Sequence, residues 1–268
     1  MEYKLLNTII YFFKKIVNFG KVESNIRVNN KDIFYSKKIH CAKESSVNIK
    51  SKLSKQYDIN VTGKNNLFET DDNFIVDDMH ISIKGNNNTV KIGKNFKGKC
   101  FNVYIWGDNN LLEIGENGFV AESLEIYNTQ NCQNGSIQIA KDVAFAKSTI
   151  CLYDNNSFIK IGEDCIFAIN TTIHAADGHA VYEEEKLCNK AIGTEIGNHC
   201  WFGFNSSILK NSSIGNNCIV AAGAMVSGKF EENNCVLGGL PAKIIKRNVN
   251  WTRKTVNEIE NNSSNIIN

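Results

Sequence analysis

The stretch IGNHCWFGFNSSILKNSSIGNNCIVAAGAMV, residues 196–226, sets Ile196, Phe202, Ile208, Ile214, Val220 and Val226 six apart without a break. A helix needs apolar residues every three or four positions and a half-buried strand needs them every second one, so a period of six fits neither as an isolated element. It fits a solenoid with three short faces per turn. Each six-residue unit is then one strand and one corner, with its apolar residue pointing to the axis. Three units close a coil of 18 residues, Ile196 to Ile214, stacked about 4.8 Å above the previous one by parallel pairing.

Working outward, Ile-Gly recurs at 92–93, 114–115, 161–162, 196–197 and 214–215, with Ile139-Ala140 as a degenerate copy, at steps of 22, 25, 22, 35 and 18 residues. The unit of six repeats upstream as Ile161, Phe167, Ile173, as Ile139, Phe145, Cys151, and as Ile114, Val120, Ile126. A step of 22 is 18 plus an excursion of four, and Asn pairs at 65–66, 87–88, 109–110 and 155–156 keep phase with it. Asn, often beside Gly, suits corners that need positive φ. Cys165, Cys200 and Cys218 each follow by four residues the Ile that opens a coil, which predicts an internal ladder of small apolar side chains. The single proline agrees, because a proline in a strand with two neighbours removes a ladder hydrogen bond.

The expected fold is an all-β solenoid, a parallel β-helix of hexapeptide repeats over residues 59–247 with a loop at 175–191. Residues 1–58 are expected to cap it. They open with a short amphipathic helix in which Leu5, Ile9, Phe12, Phe13, Ile16 and Val17 recur at three and four, packed on the first coil or a neighbouring subunit, or lying on a lipid surface. At the other end, residues 248–268 are expected to give a short helix over Trp251–Glu260 and a disordered polar tail.

Composition narrows the function. Thirty Lys+Arg against 28 Asp+Glu leave +2 on 268 residues, without the positive field that phosphate-backbone binding demands, so nucleic acid is not expected as a partner. A hydrophobic content of 42% is enough to bury a core and excludes wholesale disorder. The nine cysteines form no CxxC pair and are odd in number, which reads as a reduced cytoplasmic chain rather than a disulfide framework or zinc site. The apolar stretch Leu5–Phe19 is broken by Lys14 and Lys15 and no small-residue cleavage site follows it. Neither a signal peptide nor a transmembrane segment is expected.

With the repeats in place, Ile173–Trp251 resembles the left-handed β-helix acetyltransferases, the hexapeptide-repeat family that moves acetyl from acetyl-CoA to a hydroxyl or amine. The matching segments are Asp177-Gly178-His179, then Ile196–Gly203, then Ile214–Val226, then Gly239-Leu240-Pro241-Ala242-Lys243. With the Asn-x-x-Trp that ends at Trp251, their order resembles most closely the subgroup that O-acetylates bacterial surface polysaccharides, sialic-acid-containing capsules among them. Two positions depart from the family pattern. Leu240 stands where the family usually has Asn, and His174 where it often has Arg, which leaves two candidate histidines.

The resemblance implies an acetyl-CoA-dependent O-acetyltransferase with His179 as general base. An alcohol is a poor nucleophile until its proton is taken as the bond forms, and imidazole suits that at neutral pH. His179 lies at the start of the loop that interrupts the six-residue rhythm between Ile173 and Ile196, where function is expected on a rigid solenoid. Asp177 would orient the imidazole or the acceptor, or serve as a turn residue in Ala176-Asp177-Gly178. By alternation Trp201 points outward, to stack on a sugar or CoA or to cover a subunit contact. His199 reads as a surface or contact residue and Glu183, Glu184 and Glu185 as a solvated loop tip.

Acetyl-CoA is expected along the outside of the C-terminal coils. There Ala221, Ala222 and Gly223 permit close approach, and Lys243, Lys246 and Arg247 either meet the phosphates or form an ordinary solvated face. The resemblance also implies a homotrimer with active sites between subunits, a glycan acceptor and no metal. Three other readings stay open: a zinc carbonic anhydrase of γ type built on His174, His179 and His199; an N-acetyltransferase for amino-sugar nucleotides; and a non-enzymatic scaffold.

Overall fold

A computed structural model describes residues 26–28, 38–51 and 56–264. The helix expected around Leu5–Val17 lies outside the described residues. The rest is a parallel β-solenoid built on two long sheets. One stacks the short strands Ser46–Ile49, Leu67–Thr70, Thr89–Ile92, Leu111–Ile114, Ser136–Ile139, Phe158–Ile161 and Gly193–Ile196. The other stacks the longer Gln56–Thr62, Ile75–Lys84, Lys97–Asp108, Phe119–Gln133, Ala144–Cys151 and Ile166–His174. Strands upstream of residue 59 already pair in the stack: Ile26–Val28 runs parallel to Val47–Ile49, and Lys38–Cys41 to Asp58–Val61.

After His174 the cross-section changes. Ile166–His174 pairs with two separate strands of the next coil, Trp201–Phe202 and Ser207–Leu209, with a corner at Gly203–Ser206 between them. Asn205 turns that corner at φ 56°, the left-handed conformation that Asn tolerates better than most residues. The three-faced coil predicted from the period of six is therefore the downstream form. Upstream, two faces run together in one bent strand.

The six apolar residues from Ile196 to Val226 face inward, each at most 4% exposed. Phe145, Phe167 and Phe202 stack through successive coils with ring centroids 4.8 and 4.3 Å apart. Cys165, Cys200 and Cys218 form the expected internal ladder at 0% exposure, and Cys235 extends it with its Sγ 3.4 Å from that of Cys218. Burial and the adjacent Cys218 push the Cys235 thiol up to about 12, so it stays neutral and unreactive.

The assignment of Cys151 to the axis needs correction. Ile150 is the inward residue, in register with Ile126 and Ile173, and Cys151 shares the outward column of His174. A bulge opposite Lys147–Ser148 gives the next coil one more residue, Asn170, so the spacing from Phe145 to the axis is five rather than six.

The Asn pairs divide their labour. Asn65, Asn87, Asn109 and Asn156 take φ between 55° and 59° at the corner. Their neighbours Asn66, Asn88 and Asn110 are instead buried in a ladder: the side-chain nitrogens of Asn88 and Asn110 each donate to the preceding Asn and to a backbone carbonyl, as in Asn88 to Asn66 at 3.0 Å and to Gly107 at 2.7 Å, and that of Asn66 donates to the Thr62 and Gly85 carbonyls. Stacked amides thus satisfy backbone groups that a buried corner would otherwise strand.

The C-terminal end closes with an antiparallel hairpin of Cys235–Gly239 and Ala242–Arg247. The chain then runs back along one row of corners. Val249 donates to the Asn234 carbonyl at 2.9 Å, Trp251 Nε1 donates to that of His199 at 2.8 Å, and Arg253 donates to Asp164 at 2.6 Å and to the Asp142 carbonyl at 2.8 Å. The helix expected over Trp251–Glu260 begins later, at Val256–Ser264. Its start is fixed by a capping box in which Thr255 and Glu258 bond reciprocally, and residues 251–253 are the tie just described. No helix among the described residues is long and apolar enough to cross a membrane.

Candidate active site

The loop at 175–191 leaves the stack where Ile166–His174 ends. Ala175 and Ala176 are buried and seat its root, while Asp177, His179 and the segment beyond are exposed. Its tip is a two-residue hairpin, Tyr182–Glu183 against Lys186–Leu187, with Glu184 and Glu185 at φ 46° and 63°. The three glutamates are therefore a solvated turn.

Asn189 clamps the loop. Its amide nitrogen donates to Asp177 Oδ2 at 2.8 Å and to the His179 carbonyl at 2.7 Å, and its Oδ1 accepts from the Val181 N–H at 2.8 Å. Lys210, from the next coil, donates to the Asp177 carboxylate and to the Asn189 carbonyl. The Lys210 ammonium, with Asn189 adding to it, holds the Asp177 carboxyl below its ordinary value. Asp177 thus positions the backbone of His179 through Asn189, and does not bond its imidazole.

His179 and Gly178 line a cleft with Tyr153, Asp154, Asn155, Leu187, Asn189 and Lys190. Asp154 Oδ2 accepts from the Ala191 N–H at 2.8 Å and so pins the loop's return to the stack. His174 lies outside this lining, exposed, in register with Cys151 and Leu209.

Trp201 is outward as expected and 42% exposed, with Phe204 exposed on the following corner. It pairs with Ile166, at the end of the strand opposite the loop root, so one chain does not bring Trp201 and His179 together. Beside it is a junction that sequence reasoning missed. The His199 ring stacks on Trp251 with centroids 4.1 Å apart; its Nδ1 is 2.6 Å from Asp164 Oδ2 and its Nε2 is 3.1 Å from the Trp251 carbonyl. Burial raises the Asp164 carboxyl, and its bonds to Arg253 and His199 outweigh that and hold it low. His199 is a corner residue at φ 54°, in the same row as Asp142 and Asp164; that in-phase row was the available signal. Among the described residues no three His, Cys, Asp or Glu side chains gather as a metal set.

At the far end of the stack, Ala221 donates to the Leu237 carbonyl and Gly223 to that of Phe204, both at 2.8 Å. A Cβ at Gly223 would meet nothing within 4 Å, so this corner is open to a ligand's approach. Ala222 is exposed on it. Lys243 and Lys246 are exposed on the terminal hairpin, whereas Arg247 Nε is already on Glu232 at 2.9 and 3.2 Å.

Residues 193–228 match the family model of bacterial transferase hexapeptide (six repeats). The downstream coils thus carry hexapeptide repeats similar to those of bacterial transferases. Over part of its length the chain is similar to polysialic acid O-acetyltransferases. It is 34% identical to that of Neisseria meningitidis over 121 residues, 44% of this chain and 56% of the relative. To that of Escherichia coli O1:K1 it is 34% identical over 97 residues, 35% of this chain and 31% of the relative. The matched part thus spans about a third to a half of those relatives. The crystal structure of the polySia specific acetyltransferase NeuO shares the fold, with a TM-score of 0.59 at 24% identity over 82% of this chain and 83% of that one.

Proposed function

We propose that the chain is a cytoplasmic, acetyl-CoA-dependent O-acetyltransferase that acts on a sugar hydroxyl of a bacterial surface polysaccharide or its precursor, with sialic acid the sugar its relatives suggest. The observation that carries this reading is His179. Of the two candidate histidines it is the one that lines the loop cleft, and its backbone is held by Asn189 while its imidazole makes no bond to the described residues. His179 takes the acceptor hydroxyl's proton as that oxygen attacks the thioester carbonyl. Acetyl passes directly to the sugar, and CoA leaves as the thiol after taking up a proton.

The open corner at Ala221, Ala222 and Gly223 supports placing the pantetheine arm there, with Lys243 and Lys246 meeting the nucleotide phosphates. Arg247 joins them only by giving up Glu232. A homotrimer reconciles the separation of Trp201 from His179 within one chain, because a neighbouring subunit then presents its tryptophan to the loop. The exposed Val181, Tyr182, Leu187 and Phe204 suit burial at that contact.

The test is thiol release from acetyl-CoA by the wild type and by His179→Ala, on sialylated glycans, neutral glycans and amino-sugar nucleotides. Turnover on a glycan that His179→Ala loses while keeping acetyl-CoA binding is the expected result. Turnover on an amino-sugar nucleotide alone turns the reading to N-acetylation, and no binding or consumption of acetyl-CoA by the wild type overturns it.

A further inference from the structure

Upstream of the cleft, the outer face of the long-strand sheet carries aromatic side chains that neither the core nor the Asn corners require. Ser82, Tyr104, Tyr127, Cys151 and His174 occupy one outward column, alternating with the inward Ile81, Val103, Ile126, Ile150 and Ile173. The Tyr104 and Tyr127 rings stack 5.1 Å apart and 7° from parallel, and the His80 ring lies 5.3 Å from Tyr104. Trp106, two residues beyond Tyr104 on the same face, donates to Ser82 Oγ at 3.3 Å and has Lys84 Nζ 4.0 Å from its ring centre. The Tyr127 hydroxyl donates to Glu125 at 2.7 Å. Each of these rings is half-buried.

The row continues into the candidate site. Leu152 donates to the Tyr127 carbonyl at 2.9 Å, which carries the chain from that column on to Tyr153, and Tyr153 lines the cleft of His179. We infer that the ledge from Trp106 and His80 through Tyr104 and Tyr127 to Tyr153 is an extended acceptor subsite, holding sugar residues of a glycan chain next to the one presented to His179. This rests on the O-acetyltransferase reading above. A sugar offers apolar C–H patches rimmed by hydroxyls, and the ledge offers ring carbon beside phenol, imidazole and carboxylate groups that match both. Burial raises the phenols of Tyr104, Tyr127 and Tyr153, so they remain neutral donors at physiological pH. Lys84 supplies a cation for a carboxylated sugar.

The span decides the size of the ligand. From Tyr104 to His174 is three coils, about 14 Å at roughly 4.8 Å per coil, which exceeds one sugar ring. The ledge lies upstream of the loop while the corner proposed for CoA lies downstream, so the two substrates approach from opposite ends of the stack.

The experiment uses the full chain and oligosialic acids of two to twelve residues, with a neutral polysaccharide as a second probe. Binding is followed by tryptophan fluorescence and saturation-transfer NMR, and turnover by thiol release. For Tyr104→Ala/Tyr127→Ala, KM for the twelve-residue acceptor should rise at least tenfold, with KM for the two-residue acceptor and for acetyl-CoA within twofold of wild type. Tyr104→Phe/Tyr127→Phe, which keeps the rings and the fold, should show about a threefold rise on the long acceptor alone. Equal losses on short and long acceptors, no loss on either, or dissociation of the oligomer in the Phe variant overturns the inference and leaves the enzymatic reading standing. Binding of a polymer to the ledge without thiol release sinks the enzymatic reading and keeps the subsite. If the wild type binds no polymer of either kind, the subsite is wrong whatever the turnover.

Discussion

The coils from Leu67 to Ile139 and those from Gly193 to Gly228 stack by the same parallel pairing, yet they close their turns differently. Upstream, a turn takes 22 residues from Asn65 to Asn87 to Asn109, its long strands bend, and a buried amide ladder of Asn66, Asn88 and Asn110 secures one corner. Downstream, a turn takes 18 residues from Ile196 to Ile214, its strands are two to four residues long, and a thiol ladder occupies the axis near one corner. The faces are alike, so the corners set the period. That is why the hexapeptide family model matches only residues 193–228. The loop at 175–191 sits at the seam between the two forms, where the change of cross-section lets a long excursion leave without breaking the stack.

The largest expected effect is at that seam. His179→Ala should lower turnover by about 10²–10⁴-fold, the usual contribution of a positioned base, with an unfolding midpoint unchanged in urea; a fall in both would make His179 a structural residue. Next comes the downstream axis. Phe202→Ala removes a fully buried ring from the stack with Phe167 and should cost about 3–5 kcal/mol by denaturant unfolding.

The upstream corner is predicted to be weaker but still measurable. Asn88→Ala removes the side-chain bonds to the Gly107 carbonyl and from the Asn110 backbone N–H, at a cost of about 1–3 kcal/mol. Asn205→Ala, at an exposed downstream corner, should cost less than Asn88→Ala. Similar losses from the two Asn variants would erase the distinction between the regions.

The smallest effect concerns pH. Lys210 holds the folded Asp177 carboxyl below its unfolded value of about 3.9, so the loop clamp contributes fully above that value and fades as pH falls through the folded one. Limited proteolysis of the loop should therefore accelerate in strong acid for the wild type, whereas Asp177→Asn should be cleaved faster at neutral pH and respond less to acid.

Much of the fold is legible in sequence because the axis tolerates only apolar residues, and Ile196 through Val226 write that constraint down at every sixth position. The slip at Cys151 was not legible, since a single bulge opposite Lys147–Ser148 shifts the register without altering composition. The buried role of Asn66, Asn88 and Asn110 was hidden for a related reason: adjacent Asn residues in a turn read alike until stacking puts one inside. For the candidate site, His179 is proposed from its loop and its match to the family motif. Lys210 was not legible, because its contact with Asp177 spans 33 positions and depends on how the coil after the loop is rotated.

The backward run of residues 249–253 has a mechanical meaning. A stack held only by nearest-neighbour contacts frays from its open end one turn at a time, but here Val249, Trp251 and Arg253 fasten the rows at Asn234, His199, Asp164 and Asp142 together like a lace through eyelets. Peeling the last coil then pulls on corners several turns deeper. The C-terminal end is thereby made to let go all at once or not at all, which gives the unravelling of this solenoid a preferred direction.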